Sequence, residues 1–223
     1  MMRDTVLFDV GGPIDLEIEG ERRVDAAIQK SLVAEGFPGT EAMLAEASRQ
    51  AVESFAPNAY HAMVWQLCAR DLKAAYSVWA GVEALLEEER VPLEPREGIE
   101  DLLENLVRQG VRLGLVANQP ADTLERAGLA KYFTYYGMAG LRKPNPCAFL
   151  HACTALASIP PGCIMVGDRI DNDIAPARLL GMTTVQMRTG RHADQQPRSW
   201  LEVPHEIVRD VPDLAQALDR LLG

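Results

Sequence analysis

Hydrophobic and polar positions along this chain follow two rhythms, and the switch between them divides it. Thr5 to Phe8 is a short apolar, partly β-branched run with Gly11, Gly12 and Pro13 just beyond, which predicts a buried strand ending in a sharp loop. From about Glu21 to Arg90 the period becomes helical. Val24, Ile28 and Leu32 fall on one stripe, and Met43, Ala47, Ala51 and Phe55 on a second that Thr40 can cap. Pro57 opens a further helical stretch with Tyr60, Val64 and Trp65, and Tyr76, Trp79, Val82, Leu85 and Leu86 continue the pattern to the exposed run Glu87-Glu88-Glu89. Aromatic residues at helical spacing predict packing, so Tyr60, Trp65, Tyr76 and Trp79 are expected in a core.

Pro92 and Pro95 break this pattern, and strand and helix then alternate. Ile99 to Val107 predicts an amphipathic helix closed by Gly110, Val111 to Val116 a strand, Thr123 to Gly128 a short helix and Phe133 to Tyr136 a weaker strand. Asn145 to Leu156 predicts a helix with Pro146 at its first position, and Cys163 to Val166 a buried strand. Beyond them come a helix over Asp173 to Leu180 stopped by Gly181, a strand over Thr183 to Met187, an edge strand over Glu206 to Val208 and a terminal helix over Leu214 to Leu222. Such alternation predicts an α/β fold, with a Rossmann-like parallel sheet covered by helices on both faces. The expected division is a core domain of residues 1–15 and 91–223, with an all-helical domain, 16–90, inserted after the first strand.

Composition narrows the possible partners more than it informs the fold. With 223 residues, 48% hydrophobic and 24% charged, the chain has enough apolar material for one sizeable domain and a smaller one. Its formal net charge of -10 repels nucleic acid and anionic membrane, so neither is expected as a partner, and an anionic substrate must be held by local cations or a metal. Cys68, Cys147, Cys153 and Cys163 lack CxxC spacing and read as reduced, mostly buried thiols. No charged segment followed by a long apolar run opens the sequence, and no run approaches a membrane span, so a cytoplasmic location is expected.

In an open parallel sheet, ligands bind beyond the carboxyl ends of the strands, which makes the residues just after each predicted strand the ones to compare. The first strand delivers Asp9 into the turn Val10-Gly11-Gly12-Pro13-Ile14-Asp15, and the second ends in Ala117-Asn118. Lys143-Pro144 precedes a helix, and the Cys163 strand ends in Gly167-Asp168, followed by Asp171-Asn172-Asp173. Carboxylates, an amide and an ammonium converging on one sheet edge suit a hard divalent cation together with an anionic group.

These four motifs, in this order along nearly the whole chain, resemble the haloacid dehalogenase-like hydrolase superfamily, whose phosphatase members carry a helical cap where the 16–90 insert lies. The resemblance implies that Asp9 attacks phosphorus to form an aspartyl-phosphate. Asp9, Asp168 and the Gly11 carbonyl would bind Mg²⁺, with Asp173 supporting that shell. Lys143, Asn118 and the amides of the glycine turn, Gly12 included, would hold the phosphoryl oxygens. The implied substrate is a small phosphorylated metabolite.

Three departures from the family pattern touch the phosphate pocket. Gly11 stands where the family carries the aspartate that protonates the leaving group and activates water, a role worth roughly 10² to 10⁴ in rate, or about 3 to 5.5 kcal/mol. Pro13 replaces a threonine, and Ala117 a serine or threonine. The expectation is reduced or leaving-group-restricted activity, favouring acyl or aryl phosphates; in Gly11→Asp, a gain on alkyl but not acyl phosphates would mark a missing acid, and no gain a rebuilt or abandoned site. Asp15 is a candidate substitute acid, although a hinge role also fits it. Arg169 reads equally as a pocket residue or a solvated one, and the four histidines show no ligand spacing. Two alternatives stay open: a degenerate member that binds metal or phospholigand in a regulatory role, and a 2-haloacid dehalogenase, against which the Gly167-Asp168 and Asn172-Asp173 carboxylates argue. The number of subunits is not legible.

Overall fold

A computed structural model describes residues 3–87, 93–118, 122–137 and 140–223 of the chain. The chain forms two compact units, Met1–Glu17 with Pro92–Gly223 and, separately, Ile18–Val91. Glu88, Glu89, Arg90 and Pro92, where the sequence ends its helical insert, lie outside the described residues.

The first unit is built on a parallel sheet of β1 (Thr5–Phe8), β2 (Arg112–Leu115), β3 (Cys163–Gly167), β4 (Thr183–Met187) and β5 (Glu206–Val208), in the spatial order β2-β1-β3-β4-β5. β1 is an interior strand next to the central β3, with Phe8 opposite Leu115 on one side and Val166 on the other. Successive side chains in a strand point to opposite faces. Val6, Phe8, Ile164, Val166, Val185 and Met187 therefore enter one core, against α5 (Ile99–Arg108) and α9 (Val211–Leu222). Leu7, Cys163 and Met165 enter the other, with Phe149, Ala152 and Cys153 of α7 (Pro146–Ala155) and Ala177 of α8 (Ala175–Leu179). Both faces are covered, which is why β1 is buried at every position and reads as a continuous apolar run. A further short helix, α6 (Asp122–Arg126), follows β2.

The helix termini obey local chemistry. Asn145 accepts a hydrogen bond from Cys147 N–H at 2.9 Å ahead of Pro146, and Asp210 accepts one from Asp213 N–H at 2.8 Å to start α9 three residues before the predicted Leu214.

Two predicted elements differ. Residues 133–136 make a single bridge, Gly114 with Tyr135, rather than a strand. Among the described residues, two backbone bonds, Leu115 N–H to the Tyr135 carbonyl and Thr134 N–H to the Leu113 carbonyl, tie the segment to the outer edge of β2, with Thr134 Oγ1 also donating to the Leu113 carbonyl, too few backbone bonds for a ladder. The predicted helix from Asp173 begins instead as a π-helical turn, Ile170–Ile174, before α8. Its widening accompanies the inward course of Asp173, whose side chain is fully buried and whose carboxylate accepts from Arg169 N–H at 3.0 Å.

The second unit contains α1 (Ile18–Ala34), α2 (Glu41–Glu53), α3 (Ala59–Leu67) and α4 (Leu72–Glu87), with α1 packed on α4 and α2 on α3. Its core joins Ile28 and Leu32 to Leu44, Ala47, Ala51, Met63, Val64, Val78 and Val82. Thr40 caps α2, as its position predicts. Phe55 falls beyond that helix, in the left-handed region at φ 56°. Of the four aromatic residues expected in the core, Tyr60 and Trp79 are partly buried and pack against it, whereas Tyr76 is 72% exposed and Trp65 38%. The inward stripe of α4 is Val78 and Val82, so Tyr76 and Trp79 flank it and line, with His61, Val64, Trp65, Leu72 and Ala75, an open cavity of about 250 Å³. Among the described residues no helix is long and apolar enough to cross a membrane.

Phe149 is fully buried between α7 and the sheet. Phe149→Ala is expected to cost about 3–5 kcal/mol, read as a lower urea midpoint at unchanged slope. An unshifted midpoint would show that α7 does not seal that face.

Candidate active site

Each strand of the central pair delivers one carboxylate. β1 ends at Phe8, and Asp9 N–H still donates to the Val166 carbonyl at 2.8 Å, so the sheet register extends to the residue that carries the side chain. Asp9 Oδ1 accepts from Val10 N–H at 2.7 Å, which fixes the carboxylate at the start of the turn. β3 ends at Gly167, and Asp168 follows on the same side. Gly167 is demanded by space: an added Cβ would lie 2.5 Å from Cβ and Oδ2 of Asp173. Gly12 is demanded by both space and backbone, at φ +78° with Asp168 Cβ 2.6 Å from where its own Cβ would be.

Asp9, Asp168 and Asp173 are all buried, and one carboxylate oxygen from each lies within 4.8 Å of the others. Lys143 Nζ sits among them, 2.8 Å from Asp9 Oδ2 and 2.6 Å from Asp173 Oδ1, with its side chain 1% exposed. Three carboxylates against one ammonium leave two formal negative charges uncompensated if all ionise. The protonation tendencies follow from this crowding. Burial, then the charges of Asp173, Asp9 and Glu17, push Asp168 well above the usual carboxylate range, with Lys143 opposing. Burial raises Asp173 to about 6 against the pull of Lys143. Burial works against the Lys143 ammonium, but Asp173 and Asp9 outweigh it and hold its pKa above the ordinary lysine value.

Asn118 is placed by its contacts with Lys143: Lys143 N–H donates to Asn118 Oδ1 at 3.0 Å, and Asn118 Nδ2 donates to the Lys143 carbonyl at 3.3 Å. Its amide therefore braces the lysine, a task the sequence did not reveal. Arg169 is turned onto Asp171, Nη2 to Oδ2 at 2.7 Å. Asp15 Oδ1 accepts from Glu17 N–H at 3.2 Å and Glu94 N–H at 2.9 Å, joining the backbones of these two segments.

Two side chains at this site escape sequence reading. Arg96 is buried and donates through Nε to the Gly12 carbonyl and through Nη2 to Thr189 Oγ1, while its N–H donates to the Ile14 carbonyl at 2.9 Å. It locks the glycine turn to the loop after β4. In sequence it is one arginine in a Pro-Arg-Glu-Gly loop, with no period or motif to mark it. The other is Glu17, whose carboxylate lies over Gly11.

Residues 140–214 match the family model described as HAD-hydrolase-like. That segment carries Lys143, Asp168 and Asp173, so the similarity to haloacid dehalogenase-like hydrolases includes three of the four clustered side chains. Among similar proteins, the glyceraldehyde 3-phosphate phosphatase of Methanopyrus kandleri is 34% identical over 134 residues. That stretch is 57% of this chain and 58% of the relative, so the match spans little more than half of each. A predicted phosphoglycolate phosphatase from Haemophilus somnus shares the fold at TM-score 0.74 and 18% identity, covering 97% of this chain and 98% of that one. The candidate HAD-hydrolase YfnB from Bacillus subtilis, bound to magnesium, shares it at TM-score 0.68 and 20% identity over the full length of both chains.

Lys143→Met would strip the cation from three buried carboxylates and is expected to cost about 3–5 kcal/mol, read by urea unfolding in chelator. A loss below about 1 kcal/mol would show that the carboxylates do not depend on it. A second test concerns His192, held down at about 4 by burial and by Arg169 and Arg191, with Asp171 opposing. Its folded pKa lies below the unfolded 6.5, so the unfolded chain binds the proton first and stability falls as pH drops from about 6.5 toward 4. His192→Gln should lose that part of the slope, seen as a wild-type-minus-variant Tm difference that shrinks on acidification across this window. A constant difference would exclude His192.

Proposed function

We propose that the chain is a Mg²⁺-dependent phosphohydrolase of small phosphorylated metabolites, working through an aspartyl-phosphate on Asp9. The observation that carries this reading is the buried Asp9, Asp168 and Asp173 cluster with Lys143 Nζ between two of its members, at the carboxyl ends of β1 and β3. The phosphatase names of the relatives support the substrate class. Residues 16–90 serve as its cap domain in this reading.

The donor set fits a hard divalent cation, because it is all oxygen and carries negative charge that one lysine does not neutralise. Asp9, Asp168 and the Gly11 carbonyl would hold Mg²⁺, with Asp173 supporting them. When bound, the ion neutralises charge on the carboxylates and polarises a phosphoryl oxygen.

The chain's own groups do the rest. Asp9, fixed by the Val10 amide, directs a carboxylate oxygen at phosphorus. Lys143, positioned by Asn118 and Asp173, lowers the repulsion between that carboxylate and an anionic substrate. Gly12, held by Arg96, and the Asn118 amide hydrogen not used on Lys143 offer donors to phosphoryl oxygens. Gly11 brings no proton donor of its own, so leaving groups that depart unprotonated are the least demanding substrates.

The test is hydrolysis of p-nitrophenyl phosphate. Turnover should require Mg²⁺, vanish in chelator and fall at least about 10³-fold in Asp9→Asn, as loss of a nucleophile does. A wild-type rate equal to that of Asp9→Asn would overturn the proposal. The glycine, proline and alanine at positions 11, 13 and 117 motivate a second reading as a phospholigand-binding module, distinguished by Mg²⁺-dependent binding of a phosphate mimic without turnover.

A further inference from the structure

Gly11 is empty in sequence but not in space. A Cβ added there would lie 2.6 Å from Glu17 Cδ and 2.8 Å from Glu17 Oε2, so the Glu17 carboxyl group occupies the volume that a side chain on residue 11 would fill. We propose that Glu17 is the general acid and base of the Asp9 reaction, supplied to the site from six residues downstream of the glycine that makes room for it. This rests on the phosphohydrolase reading.

Three further observations bear on it. Glu17 has φ 58°, in the left-handed region where a glutamate costs energy and glycine would not. The strained backbone is held by the Asp15 carboxylate on Glu17 N–H and by Leu16 N–H on the Glu94 carbonyl at 2.9 Å. Glu17 is also one of the charges acting on Asp168 and on Arg96, so its carboxylate faces the same cluster. Asp15 is the less suited carboxylate, because its Oδ1 accepts from the backbone amides of Glu17 and Glu94.

In the first step an Asp9 oxygen bonds to phosphorus and the bond from phosphorus to the leaving oxygen breaks. The electron pair stays on that oxygen, which takes the proton of the Glu17 carboxylic acid. In the second step the Glu17 carboxylate takes a proton from water as the water oxygen bonds to phosphorus. The phosphorus bond to Asp9 then breaks, its electron pair restores the Asp9 carboxylate, and Glu17 is again the acid. The net reaction consumes one water and no other reactant. Gly11→Asp alone is therefore expected to bring no gain, the outcome that marks a rebuilt site, because its side chain collides with the Glu17 carboxyl.

The experiment follows p-nitrophenyl phosphate turnover in Mg²⁺ by stopped flow, with the phosphoenzyme detected by intact mass after acid quench. Nitrophenolate leaves without needing a proton. Glu17→Gln should therefore keep a rapid burst of about one product per site while steady turnover falls about 10²- to 10⁴-fold and phosphoenzyme accumulates. The double variant Gly11→Asp/Glu17→Ala, which returns a carboxylate to the same space, should recover steady turnover to within about tenfold of wild type. Unchanged steady turnover in Glu17→Gln overturns the proposal and leaves the phosphohydrolase reading standing. Loss of burst and steady state together, with no recovery in the double variant, shows a merely structural role and also overturns it. Wild type without Asp9-dependent turnover overturns both.

Discussion

A buried ammonium between buried carboxylates is the interaction on which the rest of this site depends. Lys143 Nζ touches Asp9 and Asp173 at 2.8 and 2.6 Å with almost no exposure to water. None of the partners could be buried alone at tolerable cost. The arrangement explains features that are otherwise unconnected: why Asn118 spends its amide on the Lys143 backbone, why position 167 must be glycine beside Asp173, and why the chain makes a π-helical turn before α8. Each places or makes room for one of the charged groups.

The sheet supplies the rigidity that makes such a cluster possible. β1 and β3 are neighbours in parallel register, so Asp9 and Asp168 emerge side by side from strands whose alternate residues are fixed in two apolar cores. Attached to that frame is a second set of constraints around the glycine turn. Arg96 bridges Gly12 and Thr189, and Asp15 gathers the amides of Glu17 and Glu94. The turn is thereby held from far along the chain, by Arg96 at 84 positions from Gly12 and Glu94 at 79 from Asp15. Losses that look severe when the turn is read alone, above all Gly11, become a question about what else has been brought into the vacated volume.

The strands at residues 5–8, 163–167 and 183–187 were legible because burial on both faces writes a continuous apolar run, and α7 and α2 because Asn145, Pro146 and Thr40 act on their nearest backbone neighbours. The segment at 133–136 was misread because the same residues satisfy a strand pattern whether or not a full ladder forms beside them. Tyr76 and Trp65 were misread because spacing identifies a stripe but not which of two adjacent stripes faces the neighbouring helices. Arg96 and Glu17 left no trace at all, since neither belongs to a repeat, a cap or a spaced motif.

The sequence by itself determined the α/β class, the order of the elements and the identity of the strand-end groups Asp9, Asn118, Lys143, Asp168 and Asp173, because these follow from local periodicity and from motifs in fixed order. Only the tertiary structure decided which groups meet. Lys143 lies between Asp9 and Asp173, Asn118 braces the lysine, Arg96 locks the turn, and the Glu17 carboxyl stands over Gly11. Contacts of this kind are set by how distant segments pack in three dimensions, and the chemistry of a residue does not state which distant neighbour it will face.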